Sequence, residues 1–551
     1  MSMKKSAAVT MTAIFGLLPL LAACSTNTPS ASPSPSSSAS DPSSAPTDTP
    51  EANPYETKYD IEFFVPTGSG GSIPSSDKDF VKQVIDEKFN VNLTVTHMAS
   101  GPDSTNRMNV RFASNTAPDL AVVGGRDSQT YAKDGLVADM RPYLTPEAMP
   151  NYFKWISETE LQGYYTIEGV EDGLRAPTPF NLRPYTAWYI RKDWLDNLGL
   201  SIPTNYEETL EVMRAFTFDD PDGNGNHDTY GFSTSGNGAN VGFDWPQWVH
   251  HGFYSSMYVD EGKLVDAGSH PDTGKVLADI KALIEEKVVD PNWFLNKGSD
   301  HLNRLIEGKV GIVKAGGRDF ALESIETSAV SRARQINPEA EIVPFNPFPD
   351  AKGITSAPQG SLGFVIPVQL AENEPDKVKR IMDILDFLAS PDGFLLTHYG
   401  LEGESYTRDG NTVTLKPDVI NKINAENGKF LEIYNFFTRV SDTTPIGLEI
   451  INPDETDRDR EIIAEISSYK YVPYTGGPYV TPPAGVNIAD YRKEMNATHA
   501  NIVFGDLDVE KWPEYLEELL TKHKGREIFE TYTRQIEEGG GFENAKNFSP
   551  N

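Results

Sequence analysis

From Tyr59 onward, large apolar residues recur at two spacings, and the spacing assigns the elements. Tyr59–Val65 (YDIEFFV) is β-branched and aromatic and predicts a buried strand. Phe80, Val81, Val84, Ile85 and Phe89 share one face at helical spacing and predict a helix, with Ser76 and Asp79 as its start signal. Val91, Leu93 and Val95 alternate as a second strand, and DLAVVGG (119–125) predicts a third that runs into a Gly-rich turn. Strand–helix–strand alternation of this kind predicts an α/β domain with a largely parallel sheet.

The same pattern continues. WYIRKDWLDNLGL (188–200) reads as strand then helix, with Trp188 and Trp194 assigned to the core, and NYEETLEVMRAFT (205–217) reads as a helix opened by Pro203-Thr204. VLADIKALIEEKVV (276–289) is helical, GKVGIVKAGG (308–317) is a strand ending in glycines, and SLGFVIP (361–367) is another strand. Residues 377–400 predict a helix, a break at Ser390-Pro391 and a second helix. Leu516, Leu519 and Leu520 share a helical face, Gly525 interrupts, and Phe529, Tyr532 and Ile536 continue on a last helix stopped by Gly539-Gly540-Gly541. No internal repeat is present, and 551 residues predict at least two α/β lobes.

The N-terminus breaks the pattern. Lys4 and Lys5 precede an apolar stretch, Ala7 to Leu20, too short for a membrane span, which closes on Leu21-Ala22-Ala23-Cys24. That arrangement resembles a bacterial lipobox, so residues 1–24 are expected to be a lipoprotein signal peptide with Cys24 as the lipidated residue. Cys24 is the only cysteine, which leaves no thiol for a disulfide, a metal site or a nucleophile. Residues 25–54 are rich in Ser, Pro, Thr and Ala and cannot repay ordering entropy; they are expected to form a disordered tether. A formal net charge of −32 without any basic stripe argues against nucleic acid and against an anionic membrane surface as partners.

Several stretches carry candidate chemistry. In DDPDGNGNHDTYG (219–231), Asp220, Asp222, Asn224, the Asn226 carbonyl and Asp228 occupy alternate positions with Gly225 at the sixth, the spacing of a calcium loop. Its twelfth position is Gly231 rather than a bidentate Glu, which excludes a switching EF-hand; a solvated Asp/Asn/Gly hairpin is the other reading. FDWPQWVHHGFY (243–254) concentrates Trp245, Trp248, Phe253 and Tyr254 beside Gln247, His250 and His251, either a sugar platform of flat rings and polar groups or a core cluster. His250-His251 is not expected to be a zinc pair, because adjacent side chains diverge and the sequence offers no third ligand.

Gly125-Arg126-Asp127 and Gly317-Arg318-Asp319 each place an Arg/Asp fork just past a strand, for sugar hydroxyls or for a salt bridge. Tyr471–Tyr479 is a tyrosine-rich loop in which Tyr474 is a candidate cleft residue. Arg126, Arg183 and Arg318 suit uronic acids as well as neutral sugars. TGSGGS (67–72) does not complete a dinucleotide fingerprint, because Ile73 takes the place of its last glycine. Neither G-x-S-x-G nor H-E-x-x-H is present, so no catalytic residue is assigned.

Taken in order, NRMNVRFASNTAPDLAVVGGRDSQTYAKDGLVADMRPYL (106–144), the 188–231 region, HYGLEGESYTRDGN (398–411) and the last helices (501–538) resemble family 1 extracellular solute-binding proteins of the long lipoprotein branch. The resemblance implies a periplasmic-binding-protein-like α/β fold of two lobes with multiple hinge crossovers, near residues 180, 316 and 370. Residues 55–180 and 316–370 would form the N-terminal lobe, and 181–315 and 371–551 the C-terminal lobe.

It also implies a monomeric, non-enzymatic, lipid-anchored receptor on the extracytoplasmic face of the cell membrane. Such a receptor would close over an oligosaccharide and deliver it to the permease subunits of an ABC importer. The same resemblance makes Glu404 and Tyr406 candidate ligand residues, and turns the 243–254 aromatics toward the cleft. It implies a structural Ca2+ in the 220–228 loop, since similar alginate-oligosaccharide receptors carry one; in them a carboxylate follows the last Asp, where this chain has Thr229. The alternatives left open are a surface glycoside hydrolase, which would need two carboxylates ~5–10 Å apart, and a non-transport glycan adhesin or sensor.

Overall fold

The computed structural model describes residues 55–67, 71–157, 176–181, 185–261, 263–356, 362–440, 442–472 and 480–538. The expected signal peptide, Cys24, the tether, Arg183, Tyr474 and the closing glycines 539–541 lie outside them. Two sheets organise the chain, each with its own core. In the first, Val91–Ala99, Tyr59–Thr67 and Leu120–Gly124 run parallel, and Leu362–Val365 and Ala176–Pro177 continue the sheet antiparallel. Register runs from Tyr59 opposite Val91 to Thr67 opposite Ala99.

Period-2 alternation sends Ile61, Phe63, Val65, Leu93 and Val122 into the larger core and Phe64, Ala121, Val123 and Val365 to the other face. Both faces are covered, which is why the strands read as nearly continuous apolar runs. Helix Phe80–Phe89 covers the larger core with Val81, Ile85 and Phe89. Its start lies three residues beyond Ser76: Asp79 is the cap, accepting from the Lys82 amide at 2.9 Å and from the Tyr434 hydroxyl at 2.8 Å. Leu120–Gly124 passes directly into helix Gly125–Lys133, so the expected Gly-rich turn is a helix start.

The second sheet has the order Ile342–Phe345, Ala187–Arg191, Val310–Ala315, Tyr230–Phe232. Only its last pair is parallel, so the expectation of a largely parallel sheet holds for the first sheet alone. Trp188, Ile190 and Ile312 enter a core closed by helices Tyr206–Phe218, Thr273–Glu285 and Ile488–Val503, while Tyr189, Val313 and Ala315 face a smaller one closed by Asp300–Ile306, Ala329–Ile336 and Asp457–Ser468. Trp188 and Trp194 are buried, as their spacing predicts.

Among the described residues, the chain changes core over three intervals: between 181 and 185, between 354 and 362, and between 451 and 457. The sequence expectation placed passages near 180, 316 and 370. Ile342–Phe345 is held in the second sheet by pairing with Ala187–Arg191, while helix Pro375–Leu388 and the hairpin Tyr406–Asp409/Thr412–Leu415 pack on the first core. The first core therefore takes residues up to 451, and only helix Asp457–Ser468 and the helices C-terminal to it return to the second. Among the described residues no helix is long and apolar enough to cross a membrane.

Candidate functional site

Helix Tyr206–Phe218 ends at Asp219, and the chain turns over residues 220–229 before entering strand Tyr230–Phe232. The turn is built on left-handed backbone at Asp220, Gly223 and Gly225 (φ +50°, +66° and +79°). It folds the acidic side chains inward. Asp220 accepts from the amides of Asn224 (3.2 Å) and Gly225 (3.0 Å), and Asn224 Nδ2 donates to Asp222 (2.7 Å) and Asp228 (3.2 Å).

Burial raises the Asp222 carboxyl above its ordinary range, and the nearby Asp220 and Asp228 add to the rise. Asp228 is held below its range by Lys309 Nζ, 2.5 Å from Oδ2, and by Asn224. Asp220 is thus tied to the backbone of the turn and Asp222 and Asp228 to the Asn224 side chain, an oxygen-rich donor set of the kind a hard cation takes. The missing bidentate Glu has a steric reason: a Cβ at Gly231 would lie 2.4 Å from the Met213 carbonyl oxygen, so no side chain fits there. Thr229 turns away from the loop, its buried hydroxyl donating to the Phe216 carbonyl at 2.8 Å.

The aromatic stretch resolves largely into core. Trp245 and Trp248 are 0% and 2% exposed. Their indole N–H groups donate to the carbonyls of Val241 and Gly242, both at 2.7 Å. Trp245 meets Trp293 edge-on, and Trp248 packs between Phe243 and Phe253. Neither indole offers a face to a sugar in this conformation, which corrects the platform reading for both. Tyr254 is half-buried beside Tyr258, and Gln247 is buried with Nε2 3.1 Å from the Tyr206 hydroxyl. His251 pairs with Asp279 at 2.7 Å.

The two Arg/Asp forks diverge. Arg126 and Asp127 stand in the first turn of helix Gly125–Lys133, where Asp127 accepts from the Thr105 hydroxyl at 2.9 Å. Arg318 lies between the cores: it pairs with Asp319 at 3.0 Å and with Glu455 of the third crossing. Burial works against the Arg318 charge, and Glu455 and Asp319 more than restore it. Tyr399, which packs on the first core, faces this group; burial lifts its phenol to about 12, with Arg318 opposing and Asp319 and Glu455 reinforcing. A charged seam thus joins the end of a second-sheet strand, a crossing segment and the first core.

Nearby, Ser356 at the second passage bridges Val472, and a cavity of about 10 Å³ opens there between Tyr185, Ile354, Tyr469 and Tyr471. Glu404 is exposed, and Tyr406 is buried in the first core opposite Leu415, which removes the tyrosine from any cleft in this conformation. Sequence reading missed Tyr399 and Glu455, because Glu455 is 137 residues from Arg318 and nothing local marks the pair.

The profile of the bacterial extracellular solute-binding protein family matches residues 73–393. Among curated proteins, the chain is similar to Lipoprotein LipO of Bacillus subtilis, 26% identical over 57% of this chain and 62% of that protein. It is also similar to the polygalacturonan/rhamnogalacturonan-binding protein YtcQ of the same organism, 25% identical over 62% of this chain and 66% of that one. The chain thus spans less than two thirds of the length of either.

In fold it is similar to an HMO-binding, ABC-transporter-associated solute-binding protein of Bifidobacterium longum infantis (TM-score 0.66, 16% identity, 87% of this chain and 99% of the other). It is likewise similar to the alginate-binding protein AlgQ2, solved without calcium ion (TM-score 0.60, 16% identity, 88% and 100%). The fold is α/β and periplasmic-binding-protein-like. Matched over more than half its length, the chain belongs to the bacterial extracellular solute-binding protein family.

Proposed function

We propose that this chain is the lipid-anchored, extracytoplasmic receptor of a carbohydrate ABC importer, capturing an oligosaccharide by hinge closure and handing it to the permease subunits. The observation that supports this most is the polypeptide crossing three times between two separate cores, with Arg318, Asp319, Glu455 and Tyr399 meeting where one crossing joins them. Closure needs a ligand with differential affinity for the closed state, and a seam with groups from both cores supplies it. Asp127, Arg126, Tyr254, Glu404 and Tyr474 remain further proposed ligand residues.

The reading includes one structural Ca2+ held by Asp220, Asp222, Asn224, the Asn226 carbonyl and Asp228. The all-oxygen donor set and the mutual electrostatic influence of Asp220, Asp222 and Asp228 support the fit. The ion would supply charge neutralisation and pin helix Tyr206–Phe218 to strand Tyr230–Phe232.

Calorimetric titration with pectic, alginate and human-milk oligosaccharides tests the receptor reading, paired with small-angle scattering. One class should bind and compact the particle. Absence of binding across all three classes, with unchanged scattering, overturns it.

A further inference from the structure

His250 and His251 close the short helix Pro246–His250, and neighbouring side chains there point apart: their rings meet at 79° with centroids 5.1 Å away. Divergence leaves each imidazole free to meet a different element. His251 reaches Asp279, on the outer side of helix Thr273–Glu285, with Nε2 2.7 Å from Oδ2. His250 lies flat on the Tyr206 ring, centroids 4.0 Å apart, which fixes its plane. One ligating atom from each of His250, His251 and Asp279 then lies within 4.8 Å of the other two. The third ligand, absent from the local sequence, comes from a helix 28 residues on.

We propose that His250, His251 and Asp279 form a binding site for a divalent transition-metal ion of the zinc class, separate from the acidic loop at 220–228. Two imidazole nitrogens and one carboxylate oxygen form a donor set for a borderline ion, whereas Ca2+ and Mg2+ select oxygen alone. Tetrahedral zinc holds its donors roughly 3.3 Å apart. The His251–Asp279 contact must therefore open slightly to admit the ion, with His251 ligating through Nε2 in its Nδ1–H tautomer.

Three protein ligands leave a fourth position to water, and the site is reachable, since His250 is exposed and the Asp279 side chain is 45% exposed. The field favours a cation: Glu207 and Asp279 both act on His250, and Asp272 lies close enough to feel His251 and His270. Bound metal would clip the 246–250 helix to the 273–285 helix without touching the seam at Arg318.

The test is calorimetric titration of ZnCl2 into the chelator-stripped full chain, in millimolar calcium so that the acidic loop does not compete. One zinc should bind per chain. His251→Ala with Asp279→Asn removes two of the three protein ligands and should weaken it by more than the roughly hundredfold that loss of an outer-shell partner can cost, and His250→Gln alone should also weaken it, while His227→Ala, in the acidic loop, should leave it unchanged. Partial or full exposure of all four substituted side chains keeps the variants folded, which melting curves verify. No one-to-one binding by the parent chain, equal affinity in the double variant, or loss with His227→Ala overturns the assignment.

Discussion

Trp248→Ala separates a ligand platform from a structural wedge. A platform residue loses sugar affinity and leaves the fold intact. The structure dictates the reverse, because Trp248 is 2% exposed, wedged between Phe243 and Phe253, and tied through its indole N–H to the Gly242 carbonyl. Truncating a buried large aromatic to Ala costs about 3–5 kcal/mol. Leaving the Gly242 carbonyl without its donor adds about 1–3 kcal/mol unless water enters the gap.

For an unfolding unit of 150–250 residues each kcal/mol moves Tm by about 2–4 °C, so a loss near 4 kcal/mol lowers it by about 8–16 °C. Urea unfolding followed by tryptophan fluorescence and circular dichroism measures the change, with sugar affinity measured on the fraction still folded. Trp248→Phe, which keeps a ring but not the N–H, should lose less than the Ala variant. A Trp248→Ala protein with the parent unfolding midpoint and weakened sugar binding would refute the core placement.

Chelation or Asp220→Ala should lower Tm, because an ion bound only by the folded state at a hundredfold excess over Kd contributes about 2.7 kcal/mol; a melting curve indifferent to both removes calcium from the loop. Arg318→Ala should weaken oligosaccharide affinity at least tenfold in calorimetry on the folded fraction, and should also lower Tm, because Glu455, only 12% exposed, loses its partner. Gly231→Ala should destabilise by about 1–3 kcal/mol in urea, its Cβ falling on the Met213 backbone, which cannot yield as a side-chain end would.

Acid should also destabilise. Burial holds His398 and His499 down at about 4, so between there and the ordinary value of 6.5 the unfolded chain binds protons that the folded chain refuses. Stability is full above pH ~6.5 and falls as pH drops toward 4, by up to about 3 kcal/mol for each histidine. His499→Gln should flatten part of that slope in pH-dependent urea titrations.

What the sequence made legible was the strongly periodic elements and the side they bury, whereas helices such as Pro102–Ala113 and Asp457–Ser468 were not read from it. Val81, Ile85 and Phe89 declared the buried face of their helix, and Ser390-Pro391 marked a real break between helices Pro375–Leu388 and Pro391–His398. Periodicity reports that a face is covered, not by what. The helix at 375–388 looks the same whichever core it closes, and its contacts with the first core moved two of the three crossings away from 316 and 370.

The same blindness governed the chemistry. Trp245 and Trp248 advertise aromatic surface in the sequence, yet their N–H groups satisfy backbone carbonyls four and six residues back, a detail of the turn that residue types do not reveal. The informative polar groups were those whose partners are remote. Arg318 needed Glu455, His251 needed Asp279, and Asp79 gained Tyr434 from 355 residues away. The acidic loop could be proposed from the sequence because a calcium loop draws its ligands from a short contiguous stretch, so spacing alone suggests the geometry. A site assembled across two cores has no such local code, and its members are recognised only when the crossings bring them together.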